Sequence, residues 1–123
     1  MESIQILNEF KKNLVSFFDE LIDQFPEEGD FVLIRILIND QLPVTEVMSY
    51  FIKEILPHRE LIKSKDERIF TELNILHFGM DKGKPNSIKK VWKSNKVDKE
   101  DRDVIWRWFD SFLFLVDKYQ KSL

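Results

Sequence analysis

The chain has 123 residues, a formal net charge of −3 and no cysteine. Its composition, 43% hydrophobic and 33% charged, fits a soluble globular domain and excludes intrinsic disorder, which requires low hydrophobicity. The absence of cysteine excludes a disulfide scaffold, a cysteine-ligated zinc site, an iron–sulfur cluster and a thiol nucleophile.

The first segment, residues 4–25, predicts a long amphipathic helix. Its apolar residues recur at spacings of three and four, which is the period of one helix face. They are Leu7, Phe10, Leu14, Phe17, Phe18, Leu21 and Phe25. Pro26 is expected to end this helix, and the Glu-Glu-Gly-Asp stretch after it predicts a turn.

Residues 31–38 form an apolar run that is interrupted only by Arg35. The run contains four β-branched residues, so taken alone it could be a buried strand. Because the chain contains no second strand-like run to pair with it, we expect a short helix that is buried on all sides. Asp30 is its predicted N-cap.

Two proline residues divide the middle of the chain. Pro43 suits the first turn of a helix, and Pro57 is expected to end that helix and open a short turn. Ser64 followed by Glu67 fits the capping-box pattern and predicts the start of another short helix. Residues 74–86 show little periodicity and contain two glycines and a proline, so we expect the longest loop there.

The C-terminal third predicts two more helices. Ser87 can cap a short helix that carries Trp92, and Asp98 can cap a long last helix with further acids in its first turn. The apolar surface of this last helix is wider than one stripe. It is therefore either central in a bundle or part of an interface, and in the second case its anchors would be Trp106, Leu113 and Phe114.

Together these elements predict an all-α fold. We expect a single domain over residues 1–123, a compact bundle of about five to seven helices in which the first and last are long.

The sequence contains no pattern that is typical of an active site or a metal centre. His58 and His77 lie in different segments and belong to no spaced ligand set, and no nucleophile-elbow motif is present. The loop Gly79–Pro85 fails as a phosphate loop because its glycine spacing is too short and proline stands where the magnesium-binding hydroxyl is needed. We therefore expect no enzyme activity, cofactor, metal or small-molecule substrate.

One strongly basic cluster is present, with no acid inside it. Its members are Lys82, Lys84, Lys89, Lys90, Lys93 and Lys96, and Trp92 lies among them. These lysines could contact phosphates while Trp92 stacks on an unpaired base, as in a nucleic-acid-binding accessory protein. Alternatively, Trp92 anchors the helix to the core and the lysines face residues 1–30, which carry 8 acids against 2 bases.

Nothing in the sequence indicates secretion or a membrane span. The N-terminus lacks a basic region followed by an apolar stretch, and no apolar run approaches the roughly 20 residues that a membrane helix needs. We expect an intracellular protein, in the cytoplasm or nucleus of a host cell, or a protein of a virion.

Several spaced landmarks cover most of the chain. They are Phe25-Pro26, Pro57, the stretch Lys65 to Phe70, and the last helix from Ile105-Trp106 to Lys118-Tyr119. The set resembles small helical proteins of large nucleocytoplasmic DNA viruses that infect algae and protists. The resemblance implies a viral origin, an all-α fold and a role in the virion or in virus–host contacts, and it transfers no catalytic residue. The expected function is a non-enzymatic interaction or structural protein, bound to itself or to another viral protein.

Overall fold

The computed structural model describes residues 2–73, 75 and 87–123, and these residues form a helical bundle. The α-helices are α1 (Glu2–Gln24), α2 (Gly29–Ile36), α3 (Val44–Glu54), α4 (Arg59–Lys63), α5 (Arg68–Thr71), α6 (Ser87–Lys93) and α7 (Lys99–Ser122). A π-helical turn, Leu37–Gln41, extends α2, and a 3₁₀ turn, Leu56–His58, joins α3 to α4. The predicted all-α fold with long first and last helices is confirmed. The predicted loop at 74–86 lies, apart from Ile75, outside the described residues.

The two long helices, α1 and α7, pack antiparallel and form the centre of the core. The Phe17 ring meets Phe109 at 5.9 Å between centroids, whereas Phe10, two turns earlier on α1, meets Phe112 at 6.0 Å, further along α7. Phe51 of α3 closes this aromatic cluster, edge-on to both Phe10 and Phe112. Edge-to-face contacts are favoured by the ring quadrupoles, so these rings contribute specific geometry as well as buried area.

Helix α2 lies along α1 and runs in the opposite direction. Its Phe31 ring packs 6.2 Å from Phe18, and Arg35 forms an ion pair with Asp19. The prediction of a helix in this segment is confirmed, but the predicted N-cap is wrong. Glu28 precedes the first helical residue without a side-chain cap, and Asp30, already in the first turn, accepts a hydrogen bond from Ser87 Oγ at 3.0 Å.

Helices α4 to α6 pack against the side of α7 that α1 leaves open. The Phe70 ring lies 4.4 Å from Trp92 and 4.9 Å from Trp106, and it meets Phe109 at 5.1 Å. Arg59 of α4 forms an ion pair with Asp117 of α7. Helix α7 is therefore covered on two sides, which makes it central in the bundle.

The start of α7 follows the prediction. Asp98 accepts a hydrogen bond from the Asp101 backbone N–H at 2.8 Å, and the Asp101 side chain accepts one in return from the Asp98 backbone N–H. This reciprocal pair satisfies two backbone donors that the first turn of a helix leaves free. The predicted cap is confirmed.

The predicted capping box at Ser64 is wrong, because Ser64 ends α4 instead of starting α5. Its hydroxyl donates backwards to the Glu60 carbonyl at 2.8 Å. The next residue, Lys65, has a φ of 55°, and the backbone N–H groups of Lys65 and Asp66 donate to the carbonyls of Ile62 and Leu61. This pattern is a Schellman motif, a common way to close a helix.

None of the described helices combines the length with the apolar character that crossing a bilayer requires.

Candidate interaction surfaces

Two of the three predicted interface anchors are buried. Trp106 is 5% exposed and Leu113 is 4% exposed, because α4 to α6 cover the flank of α7 that carries them. Trp106 packs 5.5 Å from Trp92 and cannot serve as a surface anchor. The prediction is therefore wrong for Trp106 and Leu113. Phe114 differs, since its side chain is 64% exposed.

The aromatic residue of the lysine cluster is also buried. Trp92 lies against the Phe70 ring at 4.4 Å, and the guanidinium of Arg102 lies 5.1 Å from the Trp92 ring centroid on α7. With 2% of its surface exposed, Trp92 offers no free face on which a base could stack. The predicted stacking role is wrong, and Trp92 anchors α6 to the core.

Two lysines of the cluster are paired with acids of the turn that follows α1. Lys90 Nζ lies 3.0 Å from a carboxylate oxygen of Glu28, and Lys96 Nζ lies 2.6 Å from one of Glu27. The hydrogen bond from Lys96 lowers the pKa of Glu27, and the same bond raises the pKa of Lys96. These pairs match the alternative in which the lysines face the acidic N-terminal region.

The remaining lysines of the cluster divide into two groups. Lys89 and Lys93 lie on α6 and form no ion pair with any described residue, whereas Lys82 and Lys84 lie outside the described residues.

The outward face of α2 is the clearest apolar surface among the described residues, and the sequence interpretation missed it. We expected residues 31–38 to be buried on all sides, but Val32, Leu33 and Ile36 are exposed, Leu33 by 53%. On a helical wheel these three point away from Phe31 and Ile34, which are buried against α1. Because one helix cannot be covered on two opposite faces by α1 alone, the second face remains open.

A groove of about 220 Å³ runs beside this face, between α1 and the π-helical turn. Its lining residues are mostly cations, amides and hydroxyls: Asn8, Lys11, Lys12, Val15, Ser16 and Asn39. No acid lines it, and neither lysine forms an ion pair with a described residue. We call it the cationic groove.

A second groove, of about 320 Å³, lies between α1 and α7. Its lining residues are Glu9, Asn13, Asp110, Ser111, Phe114 and Leu115. Both titratable residues in this lining are carboxylic acids, and the exposed Phe114 ring forms part of its wall. We call it the acidic groove.

The described residues contain no arrangement that is typical of catalysis. No group of three or more histidine, aspartate or glutamate side chains among them is placed to hold a metal ion. The groups with shifted pKa values are solvent-exposed, and each shift follows from one ion-pair partner: Lys96 lowers the pKa of Glu27, and Arg68 lowers the pKa of Asp66. His58 lies in the 3₁₀ turn, whereas His77 is outside the described residues.

Comparison of the chain with protein-family models, with curated proteins and with solved structures gives no match.

Proposed function

We propose that this chain is a non-enzymatic interaction protein that binds other protein surfaces through its exposed helix faces. The observation that carries the proposal is the outward face of α2, where Val32, Leu33 and Ile36 lie together in solvent. Burying a side chain of this size contributes about 1.5–3 kcal/mol. The fold gains little of this energy from the exposed surfaces, and a binding partner would recover it.

The α2 surface has the rigidity that a binding site needs. The opposite face of the helix is fixed in the core by Phe31 and Ile34, and Arg35 is held by its ion pair with Asp19. A preformed surface loses less conformational entropy when it binds than a mobile one does. Contiguous exposed apolar patches on otherwise polar surfaces are typical of protein–protein interfaces.

The narrower expectations remain predictions. A viral origin and a place in the virion rest on the resemblance of the spaced landmarks alone. Self-association and binding to a different protein are both compatible with an exposed helix face.

Nucleic-acid binding through the lysine cluster remains an alternative, but the contacts weaken it. Lys90 and Lys96 are neutralised by Glu28 and Glu27, and Trp92 is buried. Titration with single-stranded and double-stranded oligonucleotides at two salt concentrations tests this alternative, because phosphate contacts must strengthen as the salt concentration falls. No binding at low salt would eliminate it.

Site-specific photo-crosslinking tests the proposed function. A photoreactive benzoylphenylalanine is placed at Leu33 on the α2 face and, as a matched control, at Ser49, which is exposed on α3. In cells that express the protein naturally, we expect discrete protein adducts from position 33 that are absent from position 49. Adding Ile36→Glu, one turn from Leu33 on the same face, should remove these adducts while the circular dichroism stays unchanged. Adducts that are identical at both positions would contradict the proposal.

A further inference from the structure

Two open surfaces of opposite charge flank the same helix. On α1, Lys12 and Ser16 belong to the row that lines the cationic groove, whereas Glu9 and Asn13 belong to the row that lines the acidic groove. Residues four apart lie above one another on a helix, so the two rows are separate and face different directions. The molecule therefore presents both surfaces at once.

The cationic groove joins a positive charge to an aliphatic wall. Lys11 and Lys12 are the only two bases among residues 1–30, and both line this groove. Its other polar lining residues, two asparagines and a serine, can donate hydrogen bonds. Val32 and Ile36, four residues apart, flank Arg35, which pairs with Asp19 one turn beyond Val15 and Ser16. A complementary ligand must carry carboxylates beside an apolar side chain.

The acidic groove offers that chemistry. Asp110 lies one turn before Phe114 on α7, and Glu9 faces them from α1. The Lys118 ammonium lies 5.9 Å from the Phe114 ring centroid, yet 64% of the side chain remains exposed. Phe114 is thus a projecting aromatic side chain with carboxylates beside it.

We propose that these two surfaces bind each other between copies of this chain. The Phe114 side chain of one copy docks against Val32, Leu33 and Ile36 of the next, and Glu9 and Asp110 of the first copy meet Lys11 and Lys12 of the second. This inference rests on the proposed function and names the partner, a second copy. A single contact then covers both apolar surfaces and pairs both sets of charges.

The contact is head-to-tail, because it joins two different surfaces of the chain. Such heterologous contacts leave a free cationic groove at one end and a free acidic groove at the other, so they generate closed rings or open filaments. An anionic membrane is the less favourable occupant of the cationic groove, since residues 1–30 carry 8 acids and the whole chain has a net charge of −3.

Sedimentation velocity of the purified chain, over concentrations from about 5 to 500 μM and at two salt concentrations, measures this association. We expect the weight-average mass to rise beyond that of a dimer, or to reach the plateau of a closed ring, and to fall as salt is added. Two charge-reversed proteins are compared with wild type, K11E/K12E and E9K/D110K. In each of them the two grooves carry the same charge, so association should weaken about tenfold or more.

Mixing the two charge-reversed proteins gives the decisive result. In a 1:1 mixture each groove of K11E/K12E meets an oppositely charged groove of E9K/D110K, so we expect association to return to the wild-type level. The matched controls carry the same changes in net charge on other exposed side chains, K53E/K63E and E54K/E72K, and should associate as wild type does. Circular dichroism checks that all four variants are folded.

Several outcomes would overturn the inference. They are a monomeric wild type over the whole concentration range, a dimer plateau, a mixture that fails to recover, and controls that lose association as strongly as the groove variants. Cosedimentation of wild type with vesicles of anionic lipid, lost in K11E/K12E, would also overturn it, because the cationic groove would then serve a membrane. A monomeric protein that still gives adducts from position 33 would refute the second copy as partner while the proposed function stands.

Discussion

Replacing Phe112 by alanine should remove a large part of the stability of the bundle. The ring is fully buried, and its centroid lies 5.5–6.0 Å from those of five other aromatic rings, Phe10, Phe17, Phe51, Trp108 and Phe109. Truncating a buried phenylalanine to alanine typically costs about 3–5 kcal/mol, and lost aromatic pairs add about 0.5–1.5 kcal/mol each. We expect a loss near the upper end of this range, about 5 kcal/mol.

The same substitution two residues further along α7 provides the control. Phe114 is 64% exposed, so Phe114→Ala should change the free energy of unfolding by no more than about 0.5 kcal/mol. Both substitutions gain the same intrinsic helix propensity of alanine, and that gain cancels when the two variants are compared. The difference between them therefore measures burial and packing.

Urea denaturation followed by circular dichroism, at a protein concentration of a few micromolar, gives both values. Natural domains are stable by only about 5–15 kcal/mol, so Phe112→Ala can leave the chain largely unfolded. Phe112→Leu, for which we expect a loss of about 1–2 kcal/mol, keeps the comparison measurable. Equal losses at positions 112 and 114 would refute the arrangement of α7 described above.

Two further predictions concern single positions. Lys65 has a φ of 55° at the end of α4, so Lys65→Gly should stabilise the protein by about 0.5–1 kcal/mol in urea denaturation; a loss of stability would contradict the Schellman motif. The hydrogen bond from Lys96 lowers the pKa of Glu27 below its ordinary value of 4.5, so the stability it contributes is present above pH 4.5 and is lost as the pH falls through the folded-state pKa. Nuclear magnetic resonance titration should show the pKa of Glu27 returning towards 4.5 in Lys96→Gln, and unchanged titration curves would exclude the ion pair in solution.

The long helices could be predicted because their signals are local. The apolar spacing of residues 4–25, Pro26 after it and the cap at Asp98 each act within one or two turns of the chain. A capping side chain satisfies backbone donors of its own helix, so its effect needs no tertiary partner. Local logic failed at Ser64, where two chain ends compete for one residue and the closing motif of α4 prevailed over the capping box.

The candidate surfaces could be predicted only in part. Phe114 was identified correctly as exposed apolar surface, but its neighbours on the same helix, Trp106 and Leu113, are buried by the short helices that follow α3. Conversely, the apolar residues of α2 were expected to be covered, and three of them are open to solvent. In both cases hydrophobicity was read correctly and its environment was not.

The sequence by itself determined which segments are helical and where the two long helices lie, because helix formation depends on periodicity and capping within a few residues. Tertiary structure alone decided which apolar faces are covered, since burial depends on elements that are distant in the chain, such as Phe70 and Trp92 against Trp106. It also decided how the charges are arranged. Lys96 is neutralised by Glu27, 69 positions away, while Lys11 and Lys12 remain without a carboxylate partner among the described residues.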